Sequence, residues 1–415
     1  MNYSRREIIR TSLATLALAC CGATLPDIGR FRSGQALAAT PFHIGIVTGT
    51  NHQGAEDPLG AVEMVRLYGD VGRGGIVHHA TYPDNFAGER GKTVASIAAM
   101  ADDPLMKVVV VNQAVPGTAE GFQRIKEKRP DIICLAGGVM EDPDVIARAA
   151  DFAVESDFIS RGYLIPHTAR EMGAKTFVHI SFPRHMTYET LSRRRAIMKA
   201  ACQELGLEFI SLDAADPLAV GVPAAQAHII DDFPDWLKQY GENTAFFCTN
   251  DAHTGPLMKQ VARYGGYFIE ADIPSPLMAY PEAFGVDLSK EVGDWPAILK
   301  KVEEAVIKAG GGGRMGTWAY SLGFCLTAGI AAFGKLIAEG KSTLTSPRDL
   351  VQCFERFSPG ARWNGAFYSD LVTGKPLGNF FLVYQDTYIF GKGYMNATSV
   401  EIPDRFLFIS ESTKS

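Results

Sequence analysis

Short apolar runs recur along this chain, each followed by a longer segment of helical period. Val108-Val109-Val110-Val111 and Ile132-Ile133-Cys134-Leu135 are apolar at every position. A strand with one wet face would alternate, so these segments must be covered on both faces, as in a parallel sheet sandwiched between helices. The predicted strands are Phe42–Thr48, Gly75–Thr81, Lys107–Asn112, Asp131–Ala136, Asp157–Ile159, Thr176–Ser181, Glu208–Leu212, Thr244–Thr249 and Tyr267–Ala271. The helical period predicts Thr93–Asp102, Thr118–Lys128, Asp142–Asp151, Tyr188–Leu205 and Pro256–Tyr264 between them. Such alternation gives an α/β, doubly wound architecture. The rhythm breaks over Ser160–Thr176 and resumes at Phe177, which predicts two Rossmann-like lobes joined by a hinge. The N-terminal lobe is expected over 40–160, completed by about 314–345. The C-terminal lobe is expected over 161–313, completed by about 346–415 as an extra C-terminal tail.

Residues 1–38 read as a signal peptide rather than as part of the fold. Ser4-Arg5-Arg6 precedes Ile8-Ile9-Arg10, an apolar stretch runs from Leu13 to Ala23, and Ala36-Leu37-Ala38 offers a small-x-small cleavage site. The arginine pair resembles a twin-arginine signal, with an ordinary Sec leader or a lipidated Cys20-Cys21 as the alternatives. A periplasmic location follows as an expectation, with no direct membrane span in the mature chain. Exchanging Arg5 and Arg6 together for Lys keeps the charge and removes the pair. We expect that exchange to block export, which fractionation of cells would measure.

The net charge of −6 and the lack of a long basic run argue against a nucleic-acid partner. No CxxC pair occurs, and the five cysteines beyond the leader (134, 202, 248, 325 and 353) sit in apolar surroundings, the pattern of buried free thiols. Enzymatic motifs are weak. Ala319-Tyr320-Ser321-Leu322-Gly323 approaches a nucleophile elbow but lacks the first glycine, and Gly91-Lys92-Thr93 lacks the upstream glycine of a phosphate loop. No cofactor motif is read.

Ligands of open α/β sheets bind outside the carboxyl ends of the strands. In the first lobe those ends carry Thr50, Asn51, Tyr82 and Asn112; in the second they carry Phe182, Arg184, Asp251 and Asp272. Two sheets facing each other there would wall a cleft suited to a small polar molecule, with Tyr82 and Phe182 stacking on a ring. His52, His185 and His253 fall on the same loops.

Thr249-Asn250-Asp251-Ala252 before a helix, the leader and the two βα lobes resemble the type I periplasmic solute-binding proteins. The stretches Ile133–Gly138, His179–His185 and Thr249–Gly255 more narrowly resemble an uncharacterised bacterial family, DUF3798-like, distantly related to the basic membrane protein type of nucleoside binders. In sugar-binding relatives the aspartate at the Asn-Asp motif meets ligand hydroxyls, which points to Asp251. The resemblance implies capture of a nucleoside-, sugar- or amine-like ligand between the lobes and delivery to an ABC permease or a membrane sensor. The competing expectation is a periplasmic hydrolase acting on a nucleoside-like molecule in the same cleft.

Overall fold

The computed structural model describes residues 41–371 and 373–409; the leader falls outside them. The strands are, in chain order, β1 (His43–Thr48), β2 (Val77–Thr81), β3 (Met106–Ala114), β4 (Ile133–Val139), β5 (Phe152–Ser156), β6 (Thr176–Ser181), β7 (Glu208–Asp213), β8 (Thr244–Cys248), β9 (Gly316–Trp318), β10 (Trp363–Ser369), β11 (Pro376–Gln385), β12 (Thr387–Ile389) and β13 (Gly393–Tyr394). Seven of them form the first sheet, in the order β10-β11-β5-β4-β3-β1-β2, parallel except for β10. Val108 to Val111 are fully buried at its centre, each contributing about 1.5–3 kcal/mol of burial. The second sheet is β7-β6-β8, extended by the bridges Ala245–Tyr267 and Phe268–Met315 toward β9, β12 and β13. Two α/β lobes joined by a hinge are therefore what the chain forms.

The chain crosses between the lobes at Ser156–Phe158, Trp318–Leu322 and Gln385–Thr387. At the first crossing the expected strand Asp157–Ile159 is absent. Strand β5 ends at Ser156, and the Asp157 carboxylate accepts the Ser160 amide (2.7 Å) as the cap of helix Phe158–Glu171. That helix packs on Glu189–Leu205 and belongs to the second lobe. The tail divides differently from the expectation. Helix Leu322–Ala338 does cover β3 and β4 of the first lobe, but β9 stays with the second. Strands β10 and β11 then return to the first sheet, and only β12 and β13 join the second.

Two glycines set how closely helix Glu56–Tyr68 lies on Leu322–Ala338. A Cβ on Gly60 would come within 2.6 Å of the Thr327 side chain, and one on Gly323 within 2.2 Å of Asp57 Oδ1. This contact presses the first turn of Glu56–Tyr68 against the hinge.

Cys134, Cys202, Cys248, Cys325 and Cys353 are all free and buried, and burial pushes the Cys134, Cys202, Cys248 and Cys353 thiols up to about 12. Thiol titration of the denatured, unreduced mature protein should count five reactive groups, and almost none before denaturation. A count of three would reveal a disulfide.

Candidate functional site

The carboxyl ends of β1, β5, β6 and β8 converge beside the hinge, and the side chains that meet there are mostly acids. From the first lobe come Glu56 and Asp57, in the first turn of the helix after β1, and Glu155 from the end of β5. From the second come Asp251, first residue of helix Asp251–Tyr264, and Asp272, just beyond the strand-like segment at Tyr267–Phe268. Glu56 accepts a hydrogen bond from Ser275 Oγ across the lobes.

Burial dominates the electrostatics. It raises the Glu56 carboxyl, with Ser275 and Ser321 hydroxyls opposing the rise. It pushes Asp57 up to about 7, helped by the Glu56 charge. Glu155 rises to about 7 by burial, with the Asp272 charge adding, although the Ser156 amide donates to it at 2.6 Å. Asp251 also rises to about 7, from burial first and then from Asp272 and Glu56. Its carboxylate is nonetheless reachable by water. A group at the mouth of a narrow cleft has both properties, since walls on each side displace solvent while the open end admits it. Asp251 also lines a small cavity of about 110 Å³ with Gln226, Lys259, Ala279 and Glu282.

The nearby arginines are committed. Arg161 holds Glu270 (2.7 Å), Arg194 holds Asp272, and Arg184 grips Asp216 through Nε and one terminal nitrogen at 2.8 and 2.9 Å. The Arg184 bonds hold Asp216 down at about 2.

Of the eight residues expected at the site, Asp251 and Asp272 belong to the acid cluster on the second-lobe side, where the Asp272 charge acts on Asp251 and Asp272 itself pairs with Arg194. Thr50 and Asn51 lie on the exposed turn after β1, where the Thr50 hydroxyl donates to Asp84. The other four have different duties. Asn112 is fully buried, and its amide nitrogen donates to Asp57 Oδ1 (3.0 Å), Thr327 Oγ1 (2.7 Å) and Gly323 O (3.2 Å), so it sets Asp57 rather than a ligand. Tyr82 is buried edge-on against Phe86 and offers no stacking face. Phe182 is buried beneath His185, ring centroids 4.1 Å apart, with the Arg184 guanidinium over it at 5.1 Å. Arg184 anchors the loop after β7 through Asp216.

Sequence reasoning left Glu56, Asp57 and Glu155 out of the site and placed His185 on a cleft loop without counting it among the ligand contacts. Asn250 caps its helix by accepting the Ala252 amide (3.0 Å) and turns its amide nitrogen to His185 Nε2 (3.5 Å). The imidazole proton therefore sits on Nδ1 and goes to Thr249 Oγ1 (3.1 Å). Burial lowers the His185 pKa, so the ring is neutral near pH 7. His253 is buried and bonds Ala215 O (3.0 Å), and His52 stays on the exposed turn after β1. Among the described residues no three His, Cys, Asp or Glu side chains are grouped to hold a metal ion.

A family model described as "Protein of unknown function (DUF3798)" matches residues 42–316, most of the chain. The chain belongs to that family. A second family model matches residues 327–409. Two uncharacterised proteins of Treponema pallidum (strain Nichols) are similar, at 42% identity over 214 residues and 41% over 207. These matches span 50% and 48% of this chain and 95% and 94% of the relatives. Among solved structures, a protein from Clostridium difficile 630 that carries the name of a transcriptional regulator superposes with a TM-score of 0.74 at 20% identity, over 84% of this chain and 99% of that one. That likeness shows a shared two-lobe fold.

Proposed function

We propose that this DUF3798 member is an exported solute-binding protein that closes its two lobes on a small ligand bearing hydroxyl or amine groups. The observation that carries this reading is the group of acids that the two lobes bring together. Among the described residues Glu56 and Asp251 stand on opposite lobes with no ion-pair partner, while Arg161, Arg184 and Arg194 are each spent on a carboxylate. Such a lining accepts hydrogen bonds from hydroxyls and ammonium groups and repels anions. A ligand touching Glu56 and Asp251 together would favour the closed state, because only that state makes both contacts. Passing the ligand to an ABC permease or a membrane sensor, after export through the twin-arginine leader, completes the proposal. No helix among the described residues is long and apolar enough to cross a membrane.

One observation favours a second reading, hydrolysis of a nucleoside-like molecule in the same cleft. Carboxyls raised to about 7, as at Asp57, Glu155 and Asp251, are suited to general acid work near neutral pH. One experiment separates the two. A thermal-shift screen over nucleosides, sugars, polyamines and amino acids is expected to return a neutral or cationic compound. At 100 times its Kd it should stabilise the protein by about 2.7 kcal/mol. Recovering that compound intact after prolonged incubation supports a binder, and recovering cleaved products supports the hydrolase. A hit confined to anions would overturn both.

A further inference from the structure

The second-lobe ends of the three crossings meet on one buried carboxylate. Glu270 is 2% exposed. Its Oε1 accepts from Arg161 Nε at 2.7 Å, and its Oε2 accepts from Trp318 Nε1 at 3.0 Å and Thr387 Oγ1 at 3.3 Å. Arg161 lies in the first turn of the helix after the first crossing, Trp318 opens the second crossing, and Thr387 ends the third. Arg161 is itself 2% exposed, and its guanidinium lies over the Trp318 ring at 5.4 Å. It also donates across the crossing to Ser156 Oγ (2.9 Å), and within the second lobe to Ala271 O (2.7 Å) and Asp272 O (2.9 Å).

A buried ion pair contributes little net stability compared with apolar residues of the same volume, because removing both charges from water costs about what their attraction returns. Its bonds are directional, however, and here one carboxylate reaches all three strands of a hinge. Further bonds link the crossings to one another. The Asp157 amide donates to Val383 O (2.7 Å), and the Gln385 side chain accepts the Tyr320 amide (3.1 Å) and donates to Tyr320 O (3.4 Å).

We propose that Glu270 is a positioning residue that fastens the three crossings into one axle, so that the lobes turn as rigid bodies about a single axis. Through Arg161 the same node holds Ala271 and Asp272, so the second-lobe wall of the cleft travels with the axle. The proposal goes beyond the ligand reading and its test needs no ligand.

Spin labels on Val62→Cys in the first lobe and Val222→Cys in the second report the interlobe distance. Both positions are exposed, and the five native thiols are buried. The parent should give one narrow distance peak. Glu270→Gln should lose it, spreading the distances while cooperative melting persists. If that variant fails to fold because Arg161 is left unpaired, the neutral pair Arg161→Met with Glu270→Gln takes its place and should spread the distances in the same way. A narrow parent-like peak in a folded variant would overturn the proposal. Hydrogen exchange of the unmodified protein gives an independent reading. The amides of Arg161, Trp318 and Thr387 should open with one common free energy, and three separate values would also sink the single axle.

Discussion

At pH 8 the Asp57→Asn variant is expected to melt above the parent, and at pH 4 the two should melt together. Asp57 is 8% exposed, and burial with the Glu56 charge raises its carboxyl from 3.8 to about 7. The folded chain therefore holds this proton more tightly than the unfolded one. Between about pH 4 and pH 7 the folded state binds the extra proton, so stability falls as pH rises through that window. Above the folded value the whole penalty stands; below the unfolded value none remains. About three pKa units at 1.36 kcal/mol each cap the gain from a neutral isostere near 4 kcal/mol, and about 2–4 kcal/mol is expected at pH 8. Asn keeps the shape beside Gly323 and an oxygen to accept from Asn112 Nδ2, so packing changes little. Scanning calorimetry at both pH values is the measurement. An equal gain at pH 4 and pH 8 would mean that the effect is packing, and a loss at pH 8 would mean that Asp57 is held ionised by a partner.

How far the sequence revealed this architecture depended on whether the signal was local. Strands β3 and β4 were legible because burial on both faces leaves them apolar throughout, and a helix on each side is the only common way to achieve that. Helix Phe158–Glu171 was not legible. Eleven of its residues are buried, so it has no wet face and shows no helical period, and Pro166 inside it reads as a break. The helix expected from Pro256 begins at Asp251, because Asn250 supplies the cap. The return of β10 and β11 to the first sheet rests on pairing with β5, more than 200 residues earlier, which no local pattern encodes. Distance in sequence hid part of the site as well. Glu56 and Asp57 read as ordinary acids at a helix start, where the helix dipole favours them. Their burial comes from helix Leu322–Ala338 and from Ser275, more than 200 residues away. Tyr82 directly follows β2 as expected, whereas Asn112 lies inside β3, which runs on to Ala114, and a polar residue at either place is as often structural as ligand-facing. Their hydrogen bonds and burial decide between the two.

Asp251→Asn is expected to weaken binding of the ligand found by screening about ten- to a hundredfold without lowering the melting temperature of the free protein. A hydrogen bond to a charged group contributes about 1.5–3 kcal/mol, and about 1.4 kcal/mol is tenfold in affinity. The structural cost is small because Asn250, not Asp251, caps the helix, and Asp251 makes only the weak dipole contribution of about 0.3–1 kcal/mol. Arg184→Ala should do the reverse. It cuts both bonds to Asp216 and frees the loop that carries the exposed Leu218 and Val220, so local protection from hydrogen exchange falls. The pair is partly exposed and screened by solvent, so little stability is lost. Affinity changes only as far as the loop touches the cleft. Calorimetric titration and thermal melting of both variants separate the roles. Should Arg184→Ala abolish binding while Asp251→Asn leaves it intact, the ligand must lie on the outer rim beside Asp216 rather than between Glu56 and Asp251, and the acidic cleft would lose its claim to be the site.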